Sequence, residues 1–91
     1  MDNSNQEKIV LFVDDEEKTR KYFCRLFGDK FNILVANDGM QGLEVFNENI
    51  DNIAVVVTDQ RMPNMTGSQL LEKVSELKPS CIRILSTAYA D

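Results

Sequence analysis

The sequence predicts an α/β fold, a doubly wound parallel sheet, and three observations lead there. Ile9-Val10-Leu11-Phe12-Val13 is an unbroken apolar run, the pattern of a strand buried on both faces in a parallel sheet. Beyond it the apolar period changes to that of a helix, and this alternation of strand and helix repeats down the chain. Ala54-Val55-Val56-Val57 is the most β-prone stretch and runs into Thr58-Asp59, so a central strand also ends in an acid. Strict alternation with short connections implies right-handed crossovers that set helices against the two faces of one sheet.

The opening, Met1 to Lys8, is a polar tail without the apolar core of a signal peptide, and the folded module is expected over 9–91. The first strand closes on Asp14-Asp15. From Glu16 to Phe27 the residues Thr19, Tyr22, Phe23, Leu26 and Phe27 recur at helical spacing, and Gly28 supplies a stop. Phe31 to Ala36 reads as the second strand and Asn37-Asp38-Gly39 as its turn. Asp38 and Gln41 have capping-box spacing, and Met40, Leu43 and Phe46 give the second helix an apolar stripe. The third strand begins at Ile53 and leads into a loop through Pro63 and Gly67. Thr66 and Gln69 can cap a third helix with Leu70, Leu71, Val74 and Leu77 as its buried side, before Lys78-Pro79 ends it. Ile82 to Ser86 is the fourth strand. Met62 and Met65 pad the loop rather than serve a cofactor.

Composition narrows the chemistry. With 91 residues there is room for one small domain, and 43% hydrophobic and 27% charged residues are values of a globular chain. A net charge of -5 disfavours electrostatic attraction to nucleic acid or anionic lipid, so neither direct nucleic-acid binding nor membrane association is expected. No apolar run approaches the ~20 residues of a membrane helix, and a cytoplasmic setting is the expectation. Cys24 and Cys81 are too isolated for a zinc knuckle or a disulfide framework. The absence of histidine removes Ser-His-Asp and Cys-His nucleophile systems. Carboxylates, hydroxyls, cations and backbone groups must carry any reaction.

Ligands of open parallel sheets bind beyond the carboxyl ends of the strands, near the point where strand order reverses. Asp14 and Asp15 follow the first strand, Asp59 ends the third, and Thr87 follows the fourth. If the first and third strands are neighbours, three carboxylates converge and repel one another unless a cation compensates. Mg²⁺ suits such a set, because it takes hard oxygen ligands and accepts phosphate oxygens beside one or two carboxylates. Asp59 can then attack phosphorus to form an aspartyl phosphate, with Thr87 placed to hydrogen-bond a phosphoryl oxygen. Taken alone, Asp14 and Asp15 read as acids favouring the N-terminus of the first helix, and Asp59 as a turn residue. The three strand ends together favour a site.

These residues resemble the receiver domain of bacterial two-component response regulators. The resemblance rests on Leu11-Phe12-Val13-Asp14-Asp15-Glu16, Asn37-Asp38-Gly39, the block from Val57-Thr58-Asp59 through Pro63 to Gly67, and Ile84-Leu85-Ser86-Thr87-Ala88-Tyr89. It implies a flavodoxin-like, CheY-like sheet of strand order 2-1-3-4. It also implies Asp59 as phosphoacceptor, Asp14, Asp15 and Asp59 as Mg²⁺ ligands with the backbone carbonyl of Arg61, and Thr87 as the switch hydroxyl. The side chains of Arg61 and Tyr89 would tune acyl-phosphate lifetime. The implied partner is a histidine kinase or phosphotransfer protein, for which the basic residues Lys18, Arg20, Lys21 and Arg25 of the first helix would offer a docking face; read alone, they form a solvated outer face. The only catalysis implied is of the protein's own phosphorylation and dephosphorylation.

The match departs from the family at its end. Similar receivers continue with a fourth helix, a fifth strand opening on a lysine that pairs with the phosphoryl group, and a fifth helix. This sequence stops at Asp91. The fourth strand is therefore expected as an open sheet edge, and the chain as a homodimer, an element-exchanged oligomer or a piece of a longer polypeptide. A non-switching interaction module is the competing reading. A phosphatase of the haloacid dehalogenase type also ends a strand in a nucleophilic Asp, but needs a second Asp where Arg61 stands.

Overall fold

A computed structural model describes residues 8–86, and within them every expected element is present. The order is β1 (Ile9–Val13), α1 (Glu17–Phe27), β2 (Asn32–Ala36), α2 (Gly39–Glu48), β3 (Ile53–Asp59), α3 (Gly67–Leu77) and β4 (Ile82–Ser86). All strand pairs are parallel, in the order β2-β1-β3-β4. That is the 2-1-3-4 arrangement the family resemblance implies.

Alternation along the strands divides the apolar side chains between the two sheet faces. Leu11 and Val13 of β1 and Val56 of β3 join Phe46 of α2 and Leu70 and Val74 of α3 in one closed core, each 0% exposed. Gly42 lets α2 come close to the sheet, since a Cβ there would lie 3.0 Å from Val13 and 3.4 Å from Leu70. The opposite face carries Val10, Phe12, Val55, Val57 and Ile84, with α1 as cover. Phe12 and Phe23 stack at 4.0 Å, and Phe27 and Phe31 continue the aromatic row at 4.9 and 6.5 Å.

That second face is thinly covered. No residue of α1 is buried, and Tyr22 and Leu26, expected in its apolar stripe, are 61% and 48% exposed. Met40 is likewise exposed at the start of α2 rather than part of its buried stripe. In each case the helical period is present, but among the described residues no surface covers that part of the helix. All five residues of β4 are exposed, and among the described residues no strand pairs with its outer side, as the sequence leads one to expect.

Local signals act as their spacing implies. Asp38 Oδ1 accepts the Gln41 N–H at 2.8 Å, and Thr66 and Gln69 form a complete capping box on α3. The second strand starts one residue late because Phe31 is still tied to α1, its N–H donating to the Phe27 carbonyl at 3.0 Å. Lys78 closes the far end of α3 by donating from Nζ to the carbonyls of Ile50 and Ile53 at 2.7 and 2.8 Å.

Candidate functional site

Val13 pairs with Thr58 across the β1–β3 ladder, so Asp14 and Asp59, the next residue of each, leave the sheet at the same level. Strand order reverses at this junction: from β1 the chain moves outward to β2, then returns to β3 on the other side. One carboxylate oxygen from each of Asp14, Asp15 and Asp59 lies within 4.8 Å of the others. Glu16, Thr19, Arg61 and Ser86 complete the lining of an open cleft around them.

Asp14 is the buried member, at 8% exposure. Its Oδ1 accepts the Glu16 N–H at 2.9 Å, and its carbonyl accepts Arg20 Nη1 at 2.7 Å. Burial raises the Asp14 pKa above its ordinary 3.8; the Glu16 N–H opposes the rise, while the charges of Asp59, Asp15 and Glu16 add to it. Asp15 is exposed and Asp59 half-buried, with Asp59 Oδ1 accepting the Gln60 N–H at 2.9 Å.

The donor set fits a hard divalent cation. Three carboxylate oxygens with no thiol or imidazole among them suit Mg²⁺ or Ca²⁺ rather than zinc. An Mg²⁺ octahedron spans only about 4.2 Å between opposite ligands. A cluster of this spread and partial exposure therefore suits an ion that keeps some of its water.

The loop from β3 to α3 borders the site through Arg61. Met62 and Met65 are buried beneath it, as the sequence implies. Asn64 adopts φ 72, a left-handed conformation that asparagine tolerates. Gly67 is required for a different reason. It has no positive φ, but its Cβ would overlap the Asp59 carbonyl oxygen and sit 2.8 Å from Leu85 Cδ1. The start of α3 is thus pressed against the backbone of Asp59.

Of the residues singled out in the sequence, Asp14, Asp15, Asp59 and Arg61 come together here. Ser86 pairs with Asp59 on β4; Thr87, the expected switch hydroxyl, and Tyr89 lie outside the described residues. Arg20 is not simply part of a basic outer face, because its guanidinium turns to the Asp14 carbonyl. Lys21 does face outward, 3.4 Å from Glu17. Gln60 carries no signal in the sequence, yet its Oε1 accepts both the N–H and the hydroxyl of Ser68, at 2.8 and 3.0 Å.

An acidic cluster at the switch point of a doubly wound sheet defines a class of α/β modules whose chemistry gathers at the carboxyl ends of β1 and β3. The chain belongs to the response regulator receiver domain family, which its residues 10–91 match. It is 30% identical over 88 residues to the hydrogenase transcriptional regulatory protein HoxA of Cupriavidus necator, covering 97% of this chain and 18% of that protein. A response regulator receiver domain protein from Clostridium thermocellum superposes with a TM-score of 0.87 at 30% identity, over 92% of this chain and 68% of that one. The CheX-CheY-BeF3-Mg²⁺ complex from Borrelia burgdorferi gives a TM-score of 0.86 at 30% identity, over 91% and 63%. The chain spans 14–22% of the length of the curated relatives matched first. No helix among the described residues is long and apolar enough to cross a membrane.

Proposed function

We propose that this chain is a phosphoacceptor: Asp59 takes a phosphoryl group from a phosphohistidine on a partner kinase or phosphotransfer protein, in a Mg²⁺-dependent reaction. An Asp59 carboxylate oxygen bonds to phosphorus, the P–N bond breaks, and the departing imidazole keeps the bond's electron pair and takes up a proton. Mg²⁺ held by Asp14, Asp15, Asp59 and the Arg61 carbonyl would neutralise charge on the phosphoryl oxygens. The observation that carries this reading is the meeting of three carboxylate oxygens within 4.8 Å at the switch point. The Borrelia burgdorferi relative, a complex that contains BeF3 and Mg²⁺, supports it.

The chain's own groups do the positioning. The Gln60 N–H fixes Asp59 Oδ1 and the Glu16 N–H fixes Asp14 Oδ1; the family resemblance would give the switch hydroxyl that meets the phosphoryl oxygen to Thr87. The reaction turns over no external substrate. A cytoplasmic setting belongs to this proposal, consistent with the free thiols of Cys24 and Cys81.

Incubation with Mg²⁺ and acetyl phosphate should add one phosphoryl mass, lost in D59N and on chelation. No mass gain, or a gain that survives D59N, refutes the reading. The competing reading, a non-switching interaction or dimerisation module, draws on the exposed β4 edge and the thinly covered α1 face. It predicts Mg²⁺ binding without phosphorylation, and sedimentation would then show self-association unaffected by acetyl phosphate.

A further inference from the structure

Gln60 makes contacts beyond those that the receiver chemistry assigns. It stands between Asp59 and Arg61, and three of its groups are engaged. Its N–H donates to Asp59 Oδ1 at 2.9 Å, and its carbonyl accepts the Gly67 N–H at 3.1 Å. Its side-chain Oε1 accepts from both the N–H and the hydroxyl of Ser68, at 2.8 and 3.0 Å. One residue therefore holds the Asp59 carboxylate at one end and the first turn of α3 at the other, closing the 61–66 segment into a loop.

Helix capping alone does not account for this. Thr66 already caps α3, its side chain accepting the Gln69 N–H and its carbonyl the Leu70 N–H, with Gln69 returning the bond to the Thr66 N–H. The Gln60–Ser68 bonds are exposed, so water would satisfy the Ser68 N–H if the side chain were removed. What the side chain adds is position. It ties Gln60, whose backbone N–H holds the Asp59 carboxylate and whose next residue supplies the proposed carbonyl ligand, to the first turn of α3.

We propose that Gln60 is a positioning residue for the metal site, clamping the first turn of α3 so that the Asp59 carboxylate and the Arg61 carbonyl are held in the geometry that binds the cation. This rests on the phosphoacceptor reading. It extends that reading to a residue outside the proposed ligand set.

The test compares wild type, Q60L and Q60E by Mg²⁺ titration calorimetry and by amide hydrogen exchange at Ser68, with urea denaturation as a check on the fold. Leucine keeps the bulk and removes the acceptor; glutamate keeps an acceptor for both Ser68 donors. Q60L should bind Mg²⁺ about fivefold more weakly or worse, and exchange its Ser68 amide about tenfold faster once that N–H is left to water, with its denaturation midpoint close to wild type because the lost bonds are exposed. Q60E should recover the protection and bind at least as tightly as wild type. Equal Mg²⁺ affinity in Q60L, a Q60E that behaves like Q60L, or global destabilisation of Q60L would each overturn the proposal. If the wild type itself binds no Mg²⁺, the phosphoacceptor reading fails and takes this inference with it, whereas wild-type binding unchanged in Q60L sinks the clamp alone.

Discussion

Asp14→Asn should make the metal-free protein more stable. Asp14 is buried, its carboxylate is within 4.8 Å of those of Asp15 and Asp59, and the charges of these neighbours raise its pKa. Two unit charges at that distance repel by about 0.9 kcal/mol in water and about 3.5 kcal/mol at an effective dielectric near 20. With Asp15 exposed and counterions able to enter the cleft, the lower part of that range applies, so a gain of about 1–2 kcal/mol is expected at low salt. Asparagine keeps the Oδ1 that accepts the Glu16 N–H, so the turn into α1 should survive.

Mg²⁺ should reverse the order. At ten times its dissociation constant a bound ion stabilises the folded state by about 1.4 kcal/mol, and D14N should lose most of that increment. The pH dependence follows the same group. Burial and neighbouring charges raise the Asp14 pKa in the folded, metal-free protein above the 3.8 taken for an unperturbed carboxyl. Its stabilising contribution is fully present below 3.8 and is lost as pH rises through the raised folded value. The advantage of D14N should therefore be largest at neutral pH and shrink on acidification. Urea denaturation with and without Mg²⁺, at several pH values, reads all of this. A destabilised metal-free D14N, or equal Mg²⁺ stabilisation of mutant and wild type, would refute the reasoning.

Two further substitutions probe what holds the site from behind. Gly67→Ala should cost about 1–3 kcal/mol in urea denaturation and weaken Mg²⁺ binding, because the added methyl must push α3 off the Asp59 carbonyl; full stability would mean that this contact yields freely. Lys78→Met should cost about 2 kcal/mol by the same measurement, since it strips a charged donor from the Ile50 and Ile53 carbonyls while keeping the aliphatic stem, and Mg²⁺ affinity should be unchanged.

The elements and the three acids are legible because they rest on local rules. A continuous apolar run followed by Asp marks a buried strand and its carboxyl end, and Thr66 with Gln69 marks a helix start. What stays hidden depends on which surfaces meet. Tyr22, Leu26 and Met40 obey the helical period, but the period does not say whether anything lies opposite them. Gln60 and Ser68 are eight positions apart across an irregular loop, where no periodicity pairs residues. Arg20 looks like one of several surface cations, and only the turn of the chain after β1 brings the Asp14 carbonyl within its reach. Gly67 reads as a loop former, whereas close approach to Asp59 is its reason.

The two faces of the sheet also differ in how firmly they are held, and the site straddles them. The closed core is shared by α2, α3, β1 and β3, whereas α1 buries no residue and starts without a side-chain cap from Glu16. Amides of α1 should therefore exchange with solvent faster than those of α3, through local opening that leaves the core intact. Asp14 and Asp15 lead directly into α1, while Asp59 belongs to the rigid side. A cation shared among them ties the loose element to the firm one, so Mg²⁺ should slow exchange in the first turn of α1 more than in α3. Equal slowing in both helices would mean that the ion stabilises only the whole fold, and an unchanged α1 would mean that Asp14 and Asp15 do not carry the metal to this helix.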